Sequence, residues 1–235
     1  MDDSTPPFGR LCSIQIGKPK SYGSEDAVDV HDKPWTTGFF KTPVEGPVFA
    51  TKTNLADDGQ ADLKNHGGID KAVLAYSADH YPKWREELAM PAMPHGAFGE
   101  NLTISGVSER SVCIGDILRI GTVIFEVSQP RQPCWKLARR WRLHALTGMV
   151  VRNGHSGWYL RVLEEGWLAA PAPILLLDRP NPDWPIARAN RILHHCKSDL
   201  KLTLQLADVP RLAASWVEEL RERAAVLASA SEALR

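Results

Sequence analysis

The sequence predicts a mainly β, barrel-like domain carrying a few helices, followed by a small helical appendage. Three observations carry that prediction. Many short apolar runs are separated by glycine and proline turns, the pattern of a sheet rolled on itself. Asp116-Ile-Leu-Arg-Ile120 and Val123-Ile-Phe-Glu-Val127, joined through Gly121-Thr122, form a β-hairpin. Prolines at 171, 173, 180, 182 and 185 then mark a linker, beyond which glycine disappears and helical periodicity takes over. The boundaries follow: a barrel-like domain over 1–180 and a three-helix extension over 184–235.

Taken in order, Leu11–Ile16 alternates weakly and reads as the first strand. Lys41-Thr-Pro-Val44 turns the chain into a second strand over 48–52. Ala72–Tyr76 is a short apolar strand. A helix is expected next, capped by Asp79, because Pro82 then falls in its first turn where no intrahelical donor is lost. Its Tyr81, Trp84 and Leu88 share a core-facing side. Gly96–Thr103 is a glycine turn entering a strand. Trp158–Glu165 reads as a short helix stopped by Gly166, and Ile174–Leu177 as a buried closing strand. Beyond the linker, Pro185–His195 reads as one helix. Leu200–Leu206 reads as a second, with a strand competing because its leucines alternate. Asp208 is expected to cap a third helix whose apolar face is Leu212, Trp216 and Leu220, and that face needs a partner.

Composition narrows the function. The 28 basic and 28 acidic residues balance, so no global field points to nucleic acid or an anionic membrane. The first residues, with Asp2 and Asp3, lack the basic-then-apolar pattern of a signal peptide, and no apolar run is long enough to span a bilayer. A cytoplasmic location is expected. The four cysteines (Cys12, Cys113, Cys134, Cys196) lie far apart with no Cys-x-x-Cys pair, which argues against a zinc knuckle or a disulfide framework. Asp57–Asp62 lacks the glutamate spacing of an EF-hand. His194, His195 and Cys196 are adjacent and point different ways on a helix.

The stretch with most chemical content is Gln129-Pro-Arg-Gln-Pro-Cys-Trp-Lys-Leu137. Its prolines hold the backbone extended up to Cys134, and the pattern then turns helical, with Leu137, Ala138, Trp141 and Ala145 on one face. That puts Cys134 at a strand-to-helix junction, near unpaired amides and several cations, both of which favour thiolate over thiol. A buried structural cysteine is the competing reading. His66-Gly67-Gly68 is either a ligand-approaching glycine turn or a plain one. Glu100 and Asn101 at a strand start pair with local backbone or orient a polar substrate. Lys18, beside Gly17, is a weaker anion-binding candidate.

Several stretches in order resemble the MOSC-domain family, and within it the YiiM-type branch. They are Lys41-x-Pro-Val, Asp62-Leu-Lys-Asn-His-Gly-Gly-Ile-Asp-Lys-Ala72, Gly96-Ala-Phe-Gly-Glu-Asn-Leu, Ile114-Gly-Asp and Pro130-Arg-Gln-Pro-Cys-Trp-Lys-Leu137. The likeness covers roughly residues 10–180, and the tail from about Trp184 resembles that branch's three-helix extension. The resemblance implies a pyruvate-kinase-type β-barrel-like fold and a molybdenum pyranopterin cofactor, with Cys134 as the protein's metal ligand. A soft thiolate suits such a metal. Lys41, His66, Gly67, Gly68, Arg131 and Lys136 are the expected cofactor-binding residues, and His66, Glu100 and Asn101 join Cys134 as catalytic candidates. The implied activity is reduction of N-hydroxylated compounds, such as 6-N-hydroxylaminopurine, to amines. With no Gly-x-Gly-x-x-Gly run for a nicotinamide or flavin, electrons are expected from a separate flavoprotein reductase. A monomer or a homodimer would serve. The rival readings are a sulfur carrier holding a Cys134 persulfide and a non-catalytic cofactor-binding module.

Overall fold

A computed structural model describes residues 6–233. Its strands are β1 (Gly9–Ile16), β2 (Lys20–Tyr22), β3 (Trp35–Thr37), β4 (Thr42–Pro43), β5 (Val48–Ala50), β6 (Val73–Ser77), β7 (Leu102–Ser105), β8 (Ile117–Ile120), β9 (Val123–Pro130), β10 (Trp158–Glu164), β11 (Gly166–Leu168) and β12 (Ala172–Asp178). Its α-helices are α1 (Leu63–His66), α2 (Tyr81–Glu87), α3 (Trp135–Trp141), α4 (Leu146–Asn153), α5 (Ile186–His195), α6 (Leu200–Ala207) and α7 (Ala214–Ala233). Among the described residues, a ring runs β1-β7-β6-β10-β9-β8-β12 and back to β1, with β4 extending β1. Only β6 and β7 pair in parallel within the ring. The barrel is thus closed, as expected, by its first strand pairing with its last: Gly9 lies opposite Ile174 and Leu11 opposite Ala172.

Side-chain alternation explains the closure. Leu11 and Ile14 of β1, Ile104 of β7, Phe125 and Val127 of β9, and Trp158 and Leu160 of β10 are all essentially inaccessible. They form the barrel's share of one apolar cluster. The hairpin of β8 and β9 stands where it was expected. All eight residues of β9 are buried, because the C-terminal helices cover its outer face. Its outward Glu126 is tolerated there because Arg161 and Arg211 each meet one of its oxygens at 2.6 Å.

Five local expectations need correction. Residues 158–164 are a strand, not a helix: Trp158, Leu160 and Val162 alternate inward, and the segment fills the gap between β9 and β6. The Asp79 cap moves to Ser77, whose hydroxyl accepts from the Asp79 amide and starts a short 3-10 turn, although Pro82 does sit in the first turn of α2. The helix after Cys134 stops at Trp141, where Arg142 is left-handed at φ 52° and is clamped by Asp29 and Asp32. A separate helix, α4, then restarts at Leu146. Asp208 ends α6 rather than opening α7. Burial of Val209 and Leu212 draws the intervening chain into a turn, and α7 begins only at Ala214. The closing strand β12 buries Ile174 but leaves Leu177 43% exposed.

The apolar face of the helical extension has its partner within the chain. Ile186, Leu193, Leu206, Trp216 and Leu220 belong to the same apolar cluster as the barrel interior. A smaller cluster of Tyr76, Tyr81, Trp84, Phe98, Leu137, Leu146 and Val150 lies beneath α2, α3 and α4.

Candidate functional site

The site begins where β9 runs out. Pro130 ends the strand, Arg131 is buried with its amide donating to Gly157 O at 3.1 Å, and Cys134 becomes the residue that caps α3. Its backbone is extended (φ −111°, ψ 166°), the conformation usual for a residue that opens a helix. The residue lines a cleft. That cleft encloses about 570 Å3, open mouth included, and its walls include Cys134, His66, Lys41, Arg131, Lys136 and Tyr159. A cysteine sealed beneath packed side chains, the competing reading, is not what the fold contains.

Electrostatics give the cleft its character. Lys41, Lys71, Arg131 and Lys136 line it, and among the described residues no aspartate or glutamate does. Lys41 is offset from behind by the fully buried Asp58, which also accepts from the Gly17 amide and the Asn101 side chain, each at 2.8 Å. Burial pulls the Lys41 pKa down, and Asp58 opposes that pull. Lys71 donates to Asn65 O at 2.8 Å. Arg131, only 3% exposed, has no carboxylate partner among the described residues; Nη2 makes a 3.3 Å bond to Phe98 O, and Nη1 has no partner. Lys136 is 9% exposed and likewise unpaired among the described residues. Buried, unpaired cations are costly and call for an anion.

The thiol fits the same field. Burial alone would push the Cys134 pKa up, but hydrogen bonding from His66, the Arg131 charge and the Lys136 amide together bring it down to about 7. Tyr159 in the opposite wall is pushed up to about 12, by burial first and then by the Cys134 sulfur, against Arg131. His66 stands at the end of α1, which Asp62 caps. Its buried Nδ1 has no hydrogen-bond partner and lies 3.5 Å from Asp62 Oδ2.

The other expected residues fall in different places. Asn101 reaches the cleft wall, but its amide is engaged: Oδ1 accepts from Leu74 N at 3.1 Å, and Nδ2 donates to Gln15 O and Asp58. Glu100 is fully buried and does not line the cleft. Its carboxylate buckles its own loop, accepting from the amides of Gly96 (2.6 Å) and Phe98 (3.1 Å) and from the Tyr81 and Thr103 hydroxyls. Local pairing is therefore the geometry it adopts. Gly67 and Gly68 also stay out of the wall, and the Gly67 amide is already bonded to Leu63 O. Lys18 sits outside, in an exposed pair with Asp57.

Sequence reasoning missed Lys71, Tyr159, Asp58 and the glycines that let two loops meet. A Cβ on Gly38 would lie 2.1 Å from Gly59 O, so only hydrogen fits between those walls. Lys71 lies inside the Asp62–Ala72 stretch that carries the family likeness, and that position is the signal that marks it. Among the described residues, no three or more His, Cys, Asp or Glu converge as a metal site. A metal at Cys134 would have to arrive with ligands of its own.

The closed barrel, the thiolate-favouring cysteine at a strand-to-helix junction and the cationic cleft agree with the comparisons: the chain belongs to the MOSC-domain family, whose model matches residues 62–174. That family is generally associated with molybdenum-cofactor binding. Within it, the chain falls with the YiiM-type proteins, since a model of the YiiM-like 3-alpha helix domain matches residues 184–225. The chain is 41% identical to protein YflK of Bacillus subtilis (strain 168), over 88% of this chain and 90% of YflK. It is 35% identical to a protein named "Reductase" from Gibberella moniliformis, over 88% of this chain but only 36% of that longer protein. The crystal structure of YiiM from Geobacillus stearothermophilus superposes with a TM-score of 0.77 at 37% identity, over 92% of this chain and 99% of that one.

Proposed function

We propose that the cleft binds a molybdenum pyranopterin through Cys134 and that the protein reduces N-hydroxylated compounds, such as 6-N-hydroxylaminopurine, to amines. The observation that carries the reading is a thiol brought to about 7 in a cleft lined by four cations and no carboxylate. The donor set fits. A thiolate is a soft ligand for such a metal, and the unpaired Arg131 Nη1 and Lys136 suit the cofactor's phosphate. The relative named as a reductase supports an oxidoreductase.

When bound, the cofactor would supply the two-electron chemistry that cleaves the N–O bond. The balance is R–NHOH plus two electrons and two protons, giving R–NH2 and water. The chain's own residues bind and place the reactants. Cys134 would hold the metal. Arg131, Lys136 and Lys71 would neutralise the phosphate, with Lys41 a weaker contributor because Asp58 already holds it. His66 hydrogen-bonds the sulfur while its Nδ1 lies on the Asp62 side, and the nitrogen that faces the sulfur makes it the better candidate to give a proton to the leaving oxygen. Glu100 is less suited, since its oxygens are committed.

Electrons would come from a separate flavoprotein reductase, docking on the solvent face of α7. Deleting residues 184–235 is not a clean test of docking, because Ile186, Trp216 and Leu220 are buried with the barrel core. Charge reversal at the exposed Glu218 and Glu222 is cleaner. It should slow the reductase-coupled reaction and spare turnover with a chemical reductant; equal loss in both assays refutes the docking.

The central test is metal and pterin analysis of protein expressed with cofactor synthesis intact, paired with 6-N-hydroxylaminopurine reduction. Cys134→Ala should lose both molybdenum and activity. Wild-type protein that carries a Cys134 persulfide and no molybdenum would replace this reading with the sulfur carrier, and bound cofactor without turnover would replace it with the binding module.

A further inference from the structure

We propose that a second cleft, at the seam between barrel and helical extension, is a binding site for a phosphate monoester whose organic part carries a hydrogen-bond donor. It does not depend on the reading of the Cys134 cleft, with which it shares no lining residue. Its walls come from the His80 turn, the 108–110 loop, the end of α4 with the turn after it, and α5. It encloses about 610 Å3, mouth included.

Charge gives the first argument. Arg110, Arg152 and Arg191 reach this cleft from three separate segments. All three are exposed, and among the described residues none has a carboxylate within ion-pair distance. The cleft's one carboxylate, Glu109, is 3% exposed and fully engaged below the surface. One oxygen lies 2.6 Å from His80 Nε2, and the other accepts from the Gly157 amide at 2.7 Å. Three planar guanidinium forks around one cavity match the several oxygens of a phosphate better than a single carboxylate.

The floor gives the second argument. Asn190, only 5% exposed, donates through Nδ2 to Ser156 Oγ at 2.8 Å. The Ser156 proton is itself committed to Gly157 O at 2.9 Å, so Ser156 can only accept from Asn190. That fixes the amide's orientation and leaves the buried Oδ1 without a donor. Beside it, His155 stacks on His80 at 3.7 Å and 9°, and its buried Nδ1 has no partner among the described residues. Burial, then His80, hold the His155 pKa down at about 4, so the ring is neutral at pH 7. Unpartnered buried polar atoms are uncommon in native folds and ask for an occupant. An acceptor-bearing floor under a cationic rim asks for a donor group attached to an anion.

The test is calorimetric titration of the full chain with adenosine 5′-monophosphate, a phosphate monoester bearing amino and hydroxyl donors, alongside adenosine and inorganic phosphate. Two variants accompany the wild type: Arg152→Ala with Arg191→Ala, both exposed positions that leave the core untouched, and Lys136→Ala in the other cleft. The monophosphate should bind more tightly than either fragment. Loss of the two arginines should weaken it by about a hundredfold, while Lys136→Ala leaves it unchanged. No binding at millimolar concentrations, or binding weakened by Lys136→Ala and not by the arginine pair, overturns the site. Inorganic phosphate binding as tightly as the monophosphate overturns the donor-bearing class.

Discussion

His66→Ala should raise the pKa of Cys134, and the size of the change follows from what surrounds the sulfur. The thiol sits at about 7 against an ordinary 9.0: burial opposes ionisation, and His66, Arg131 and the Lys136 amide overcome it. At pH 7 about half of it is thiolate, compared with roughly 1% for an unperturbed thiol. Removing the imidazole leaves Arg131 and the helix amide in place, so the thiolate fraction at pH 7 should fall by about fivefold, not by the full fiftyfold. The assay is the pH dependence of iodoacetamide alkylation at Cys134, followed by peptide mass spectrometry so that Cys12, Cys113 and Cys196 do not contribute. The midpoint should move up by about one unit. A wild-type midpoint near 9, or a variant that titrates like the wild type, refutes the electrostatic account. Stability carries the same signature. Between about 7 and 9 the unfolded chain holds a proton on Cys134 that the folded chain has released, so stability should rise with pH there. Cys134→Ser should flatten that slope.

Asp58→Ala should destabilise the fold by about 3–5 kcal/mol in urea denaturation, because it leaves Lys41 buried and unpaired; adding Lys41→Met should recover part of the loss. A loss confined to activity would mean the pair does not support the fold. Glu100→Ala should cost about 3 kcal/mol or more by orphaning two amides and the Tyr81 hydroxyl, with or without ligand. A stable but inactive Glu100→Ala would restore a catalytic role. Trp216→Ala should cost about 3–5 kcal/mol and lower a single calorimetric transition. A separate early melting of the helices, with the barrel unaffected, would contradict the shared core.

Much of this was legible in the sequence, for identifiable reasons. The hairpin of β8 and β9 has strong alternation around a glycine turn, and the prolines before Cys134 allow little but an extended approach to a helix. The segment 158–164 misled because Trp158 with Val162 and Tyr159 with Leu163 also fall at the four-residue spacing of a helix, beside the two-residue repeat of Trp158, Leu160 and Val162. Only the vacancy between β9 and β6 decides between them. The third C-terminal helix started late because burial of Val209 and Leu212 outweighed a favourable Asp-Pro start. Glu100 carried both readings openly, and the fold took the local one. Asp58 was hidden in a loop that looked solvated, and its burial depends on Lys41, Gly17 and Asn101 converging from elsewhere in the chain.

The grip of the last helix on the cysteine loop has a consequence for biogenesis. Glu219 accepts a 3.1 Å bond from Gln132, two residues before Cys134, and Asp70, next to Lys71, accepts from the Ala214 amide at 3.3 Å. Those contacts form only once residue 219 has left the ribosome, and the ring closes only after residue 174 has joined residue 9. The sulfur therefore acquires its finished surroundings only after α7 has been made and has folded back, and a chain cut before Ala214 would leave the cysteine loop without those two ties.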